Sequence, residues 1–254
     1  MKKLAYLIIL LLFVPTIVFA SSFDITADKV ILYNLNDDTI LYEQNSNEQT
    51  NIASLTKIMT ALVAIENIDD YDEYVTITAK DFEGTNGYSK AGFSIGDQVT
   101  YRDLLYGILL PSGADAVNAI VNNTLGYDAF IDAMNNKAQE IGLENTSFSN
   151  PVGKDATDNY STASDIAKLL KYALQNELFK EIFTTKEYIT SNGLNLECTL
   201  YPYKDILDID MIDGSKSGFT RGAGRCLASI TTLNGVDYLL VVIHSTTDQN
   251  YSAV

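Results

Sequence analysis

The sequence predicts an α/β chain of the α+β kind, an antiparallel sheet flanked by helices with a helical subdomain between its strands. Three observations carry this reading. Short β-branched and aromatic runs open the chain, apolar residues at helical spacing fill its middle, and strand patterns joined by tight turns close it. That order completes one sheet from both chain ends and leaves a helical insert over about residues 66–160.

The opening pair is residues 27–35 and 39–43, split by Asn36-Asp37-Asp38, which reads as a hairpin. From Ser54 the period changes: Ile58, Leu62 and Ile65 recur at helical spacing. Residues 70–103 mix short strands with glycine loops at Gly84, Gly87, Gly92 and Gly96, a surface excursion. Leu104–Leu110 reads as a helix broken by Pro111, with a new helix starting at Ser112. Phe130, Met134, Ala138 and Ile141 mark another, stopped by Gly142. Thr162-x-x-Asp165 offers a capping box for a helix through Asn176. Ser191-Asn192-Gly193 is a turn, Gly214–Thr220 a strand, and Asn234-Gly235 a two-residue hairpin signal between Arg225–Leu233 and Val236–Ile243.

Lys2 and Lys3, an apolar run from Leu4 to Val18, and Ala20 before Ser21 read as a secretory signal peptide over residues 1–20 with cleavage after Ala20, an uncleaved membrane anchor being the alternative. The formal net charge of −16 becomes two units more negative without those two lysines. So acidic a chain is repelled by nucleic acid, and no nucleic-acid partner is expected. Cys198 and Cys226 are the only cysteines; they form no disulfide framework and read as buried thiols. His244 is the only histidine, ends an apolar strand pattern and reads as structural. A single histidine argues against zinc-peptidase sites, and neither a metal nor another cofactor is expected.

Catalysis is then expected from other bases. In Ser54-Leu-Thr-Lys57, residues three apart share a helix face, so the Lys57 amine reaches the Ser54 hydroxyl. The helix start adds partial positive charge where an oxyanion would form. Alone, the pair fits an N-cap serine and a solvated lysine equally well. Two further elements change this. Ser112-Gly113-Ala114 follows 58 residues later, and Lys216-Ser217-Gly218 another 104 residues on, in a strand whose glycine admits a close backbone approach. These are the three motif types of the penicillin-binding proteins and class A β-lactamases.

With Ala53–Thr60, Leu109–Ala116, Asn150-Pro151-Val152-Gly153, Tyr160–Asp165, Gly214–Thr220 and Ala223–Ala228, residues 24–244 resemble the low-molecular-mass penicillin-binding proteins of the serine D-alanyl-D-alanine carboxypeptidase family. The resemblance implies a penicillin-binding and transpeptidase-like catalytic domain over residues 21–254, acting at the cell wall on peptidoglycan stem peptides and acylated by β-lactams. Residue by residue it implies Ser54 as nucleophile, Lys57 as general base and Ser112 as proton relay. It also implies Lys216 as the cation near the substrate carboxylate, with Ser217, Gly218, Phe219 and Thr220 completing the substrate-binding strand. The same resemblance implies an oxyanion hole formed by the N–H groups of Ser54 and Phe219.

Three departures accompany it. Ala114 stands where the family usually has asparagine, which implies a slower enzyme; Asn118, one helical turn on, is the candidate substitute. The stretch Ser245–Tyr251 stands where the family often supplies an arginine and a closing helix. The β-sandwich and amphipathic anchor helix that many members append are also missing from this sequence. A weakened or non-catalytic wall-binding module is the alternative. A β-lactamase is a lesser one, needing a deacylating glutamate such as Glu144.

Overall fold

The chain ends do meet in one sheet. The computed structural model describes residues 25–205 and 208–245, so the expectations for the leader at 1–20 and for the stretch after Ser245 lie outside the described residues. Strands β1 (Ala27–Asn34) and β2 (Thr39–Gln44) form the expected hairpin. A 3-10 turn at Ala53–Leu55 then enters helix α1 (Thr56–Glu66). Strands β3 (Tyr74–Thr76) and β4 (Gln98–Thr100) pair with each other and bracket the glycine-rich excursion. Helices α2 (Tyr101–Leu109), α3 (Ala114–Asn123), α4 (Tyr127–Ile141), α5 (Ala163–Ala173) and α6 (Glu177–Thr184) follow. A small pair, β5 (Glu187–Ile189) with β6 (Asn195–Glu197), precedes the closing meander of β7 (Gly214–Thr220), β8 (Gly224–Leu233) and β9 (Val236–Ser245).

The main sheet has the order β2-β1-β9-β8-β7, antiparallel throughout. The first and last of its strands in the sequence, β1 and β9, are direct neighbours from Ala27↔Ser245 to Asn34↔Tyr238. Asn234 (φ 54°) and Gly235 (φ 78°) provide the two left-handed residues that the two-residue β8–β9 turn needs. β7 lies at an edge, with backbone groups on one side available to a further strand.

α1 is buried on more than the face that Ile58, Leu62 and Ile65 mark. Every residue from Thr56 to Ile65 is buried, because α2, α3, α4, α5 and α6 all touch it. A helix surrounded in this way is apolar on most of its circumference, and the polar side chains it does carry, Thr56, Lys57 and Thr60, are buried with the rest. Burying Ile58, Met59, Leu62 and Ile65 contributes about 1.5–3 kcal/mol each. The 3-10 turn that carries Ser54 leads α1 away from β7 and β8, so the helical layer meets the sheet at this residue.

Local signals were partly misread. Thr162 does cap α5 by accepting from Asp165 N (3.0 Å), but the helix ends at Ala173. The Asp165 carboxylate accepts from Asn145 N and the Thr146 hydroxyl, tying down a neighbouring loop. Asn176 caps the separate helix α6, accepting from Phe179 N. Asn118 donates to the carbonyls of Asp81 (3.1 Å) and Glu83 (3.0 Å), so it staples the excursion to α3 and does not substitute for an asparagine at position 114.

Removing that staple in Asn118→Ala should cost about 1–2 kcal/mol, read as a lower urea midpoint at unchanged m-value. An unchanged midpoint would show that water replaces both bonds at no cost.

Candidate active site

The site forms where α1, the start of α3 and the edge strand β7 converge. Lys57 is 1% exposed, and its amine donates to Ser54 Oγ (3.1 Å) and to the Val152 carbonyl (2.8 Å). Burial pulls its pKa down to about 7, opposed in part by the Asp115 carboxylate. Desolvation thus favours the neutral amine, with a lone pair beside a hydroxyl. Lys216 is fully buried as well, and its amine donates to the Ser217 carbonyl (2.9 Å). Burial, and then the nearby Lys57, hold its pKa well below the usual lysine value.

The acceptor for Lys57 is built locally. Asn150 Oδ1 accepts from Gly153 N (2.9 Å) and Lys154 N (2.8 Å), an Asx-type turn that fixes the carbonyls of Pro151 and Val152. Thr60 on α1 donates to the first of these (2.7 Å) and Lys57 to the second. Gly153 (φ 86°) touches the chain beside Ser54 so closely that a Cβ there would lie 1.9 Å from the Ala53 carbonyl oxygen. Ala53 itself takes φ 47°, a conformation costing a non-glycine residue roughly 1–2 kcal/mol. From the other side, a Cβ on Gly218 would come within 2.7 Å of Ser54 N. Two close backbone approaches thus hold Ser54 between the 150–154 turn and β7.

Ser112 completes the convergence. It is 3% exposed, has φ 66°, and its hydroxyl has no hydrogen-bond partner among the described residues. Asp115, on the next helical turn, accepts from Ala91 N (2.7 Å) and Gly92 N (3.3 Å), and Ala114 N donates to the Ser89 carbonyl (2.8 Å). These bonds fold the excursion back over the site. Ser54, Ser112, Ser217, Gly218 and Phe219 line one cleft of about 370 Å³, with Gly87, Tyr88 and Ser89 also in its lining. Thr199, Leu200, Tyr203, Arg225, Cys226 and Leu227 complete it.

A family model described as D-alanyl-D-alanine carboxypeptidase covers residues 16–247. The chain belongs to that family. The D-alanyl-D-alanine carboxypeptidase DacF of Bacillus subtilis is 31% identical over 231 residues, which span 89% of this chain and 59% of that protein. The solved Streptomyces K15 DD-transpeptidase superposes with a TM-score of 0.77 at 30% identity, over 89% of this chain and 93% of that one. The D-alanyl-D-alanine carboxypeptidase of Mycobacterium tuberculosis gives 0.78 at 25% identity, over 90% and 88%. The fold is accordingly that of the DD-peptidases, an antiparallel sheet with a helical layer.

Within this D-alanyl-D-alanine carboxypeptidase relative, seven of the eight residues singled out from the sequence meet at or beneath the cleft. Thr220 lies beside this group. It is not among the lining residues; its hydroxyl donates to Asp155 (2.6 Å) and accepts from Ala223 N (3.0 Å), closing the turn after β7. Sequence reasoning missed Tyr88, Ser89, Thr199 and Tyr203, which sit in segments without a motif, and Arg225, which lies within the matched stretch Ala223–Ala228 but was given no role. The remaining negative expectations can be placed directly. Both cysteines are free and buried, and burial pushes the Cys226 thiol up to about 12. His244 pairs with Asp28 at the end of β9 and is not part of the cleft lining. Glu144 is exposed and outside it too.

Gly153→Ala is expected to lower stability by at least about 2 kcal/mol, because the new methyl requires the backbone at Ala53 to move. Thermal unfolding checks this, and an unaltered Tm would disprove the close approach.

Proposed function

We propose that the protein is a serine D,D-carboxypeptidase, removing the terminal D-alanine of peptidoglycan stem peptides through an acyl-enzyme on Ser54. The observation that carries the reading is the buried Lys57 amine 3.1 Å from the Ser54 hydroxyl. Neutral Lys57 takes the Ser54 proton as Oγ attacks the carbonyl of the penultimate residue. The N–H groups of Ser54 and Phe219 receive the developing oxyanion; the absence of a Cβ on Gly218 lets β7 come close enough for both to serve one atom. Ser112, buried and without a protein partner, passes the proton to the departing D-alanine nitrogen. Water then attacks the ester, and the same groups act in reverse.

Charge selects the ligand. The chain is strongly acidic, yet among the described residues no aspartate or glutamate lines the cleft. Arg225 does, and the buried Lys216 underlies the strand that carries Ser217. A peptide ending in a free carboxylate fits this arrangement, as does the carboxylate of a penicillin. The leader read at 1–20 would deliver the protein to the cell wall. Among the described residues no helix is long and apolar enough to cross a membrane. The exposed position of Glu144 weighs against the β-lactamase reading, and the two buried lysines weigh against a purely binding module.

Labelling with a fluorescent penicillin should place one adduct on Ser54, and Ser54→Ala should abolish it without changing the circular dichroism. An adduct mapped elsewhere by mass spectrometry overturns the assignment. Since Lys57 serves as base only when neutral, the acylation rate should rise through pH 7 and level off above it. Lys57→Ala should slow acylation at least ~100-fold and remove that rise, while His244→Asn keeps both. A wild-type rate that is flat between pH 6 and 8 would remove Lys57 from this role.

A further inference from the structure

Ser217 has a neighbour that no motif announces. Thr199 follows β6 in the connection that leads towards β7, and its Oγ1 lies 2.6 Å from Ser217 Oγ, both side chains lining the cleft. The backbone beneath Thr199 is fixed. Cys198 and Leu200 on either side are buried, Cys198 N donates to the Lys186 carbonyl (2.8 Å), and Tyr201 N donates to the Cys198 carbonyl (2.9 Å). Serine alone turns freely among three staggered positions, whereas a β-branched residue is stiff. Here the short hydroxyl–hydroxyl bond supplies the stiffness from outside. Two hydroxyls carry two protons, and the bond between them uses one. Whichever oxygen donates, the other proton is left for an acceptor in a cleft lined by no carboxylate.

We propose that Thr199 is a positioning residue for Ser217, holding its rotamer so that the pair directs one hydroxyl proton at the ligand's carboxylate. The inference rests on the carboxypeptidase reading above and deepens it. Position 199 tunes how tightly a free C-terminus is gripped, while the Ser54–Lys57 pair does the chemistry.

The test measures kcat and KM for a peptide ending D-Ala-D-Ala, and in parallel the binding of that peptide and of its C-terminal amide to the Ser54→Ala protein. Thr199→Val keeps the shape and removes the hydroxyl. It should lower kcat/KM about five- to tenfold, mostly through KM, the worth of one neutral hydrogen bond. The binding loss should appear for the acid and vanish for the amide. In the Thr199→Val background, Ser217→Thr should restore most of the loss, because its β-branch replaces the missing restraint. Thr199→Ser, which keeps the hydroxyl, should behave like the parent and covers the case that valine disturbs the fold. Equal losses for acid and amide, no loss in Thr199→Val, or a loss that Ser217→Thr leaves untouched would each overturn the proposal. If the parent protein neither hydrolyses the peptide nor is acylated by penicillin, the carboxypeptidase reading itself has failed. A functional parent with an indifferent position 199 refutes only the role of Thr199.

Discussion

The interaction on which this structure turns is the burial of the Lys57 amine against Ser54. A lysine deprived of water costs several kcal/mol when charged, so the protein must either neutralise it or surround it with acceptors. Both happen here. The pKa falls to about 7, and the Val152 carbonyl accepts one N–H at 2.8 Å. Lys57 stays dry because α1 is enclosed by five helices, and the acceptor stays in place because Asn150 locks its turn. In the proposed reaction the core is thus also the means by which an ordinary side chain becomes a base.

That requirement explains the glycines and strained residues around Ser54. Gly153 and Gly218 bring two backbones into contact with Ala53 and Ser54 from opposite sides, leaving no room for a Cβ. Ala53 and Ser112 accept left-handed conformations that cost energy elsewhere unrecovered in the local structure. The rest of the fold absorbs this cost through apolar burial. The staples from α3 to the 81–92 excursion belong to the same scheme, since Asp115, Asn118 and Asn122 each hold a part of the loop that closes the cleft.

Most of the framework was legible in the sequence. Period-two runs with Asn-Asp-Asp and Asn-Gly between them specify β1–β2 and β8–β9, because turn chemistry and strand alternation are both local. The helix from Tyr127 stopping at Gly142 was legible for the same reason, a left-handed glycine ending a 3.6-residue period. Local reading failed where a polar side chain had a choice of partners. Asp165 abandons the expected reciprocal cap for the 145–146 loop, Thr220 turns to Asp155, and Asn118 turns to the 81–83 carbonyls. Nothing within a few residues of these positions distinguishes the alternatives.

By itself the sequence determined which residues could do chemistry: a serine and a lysine one helical turn apart, a second serine at a helix start, and a lysine-serine-glycine strand. Their spacing along the chain, 58 and 104 residues, is too improbable to ignore but contains no distance in space. Only the tertiary structure decided that Lys57 is buried on every side, that Thr199 reaches Ser217, and that no carboxylate among the described residues enters the cleft lining. The physical reason is desolvation. Removal of water sets the charge of an amine and the strength of a hydroxyl bond, and it is a property of the surrounding fold, not of neighbours in the sequence.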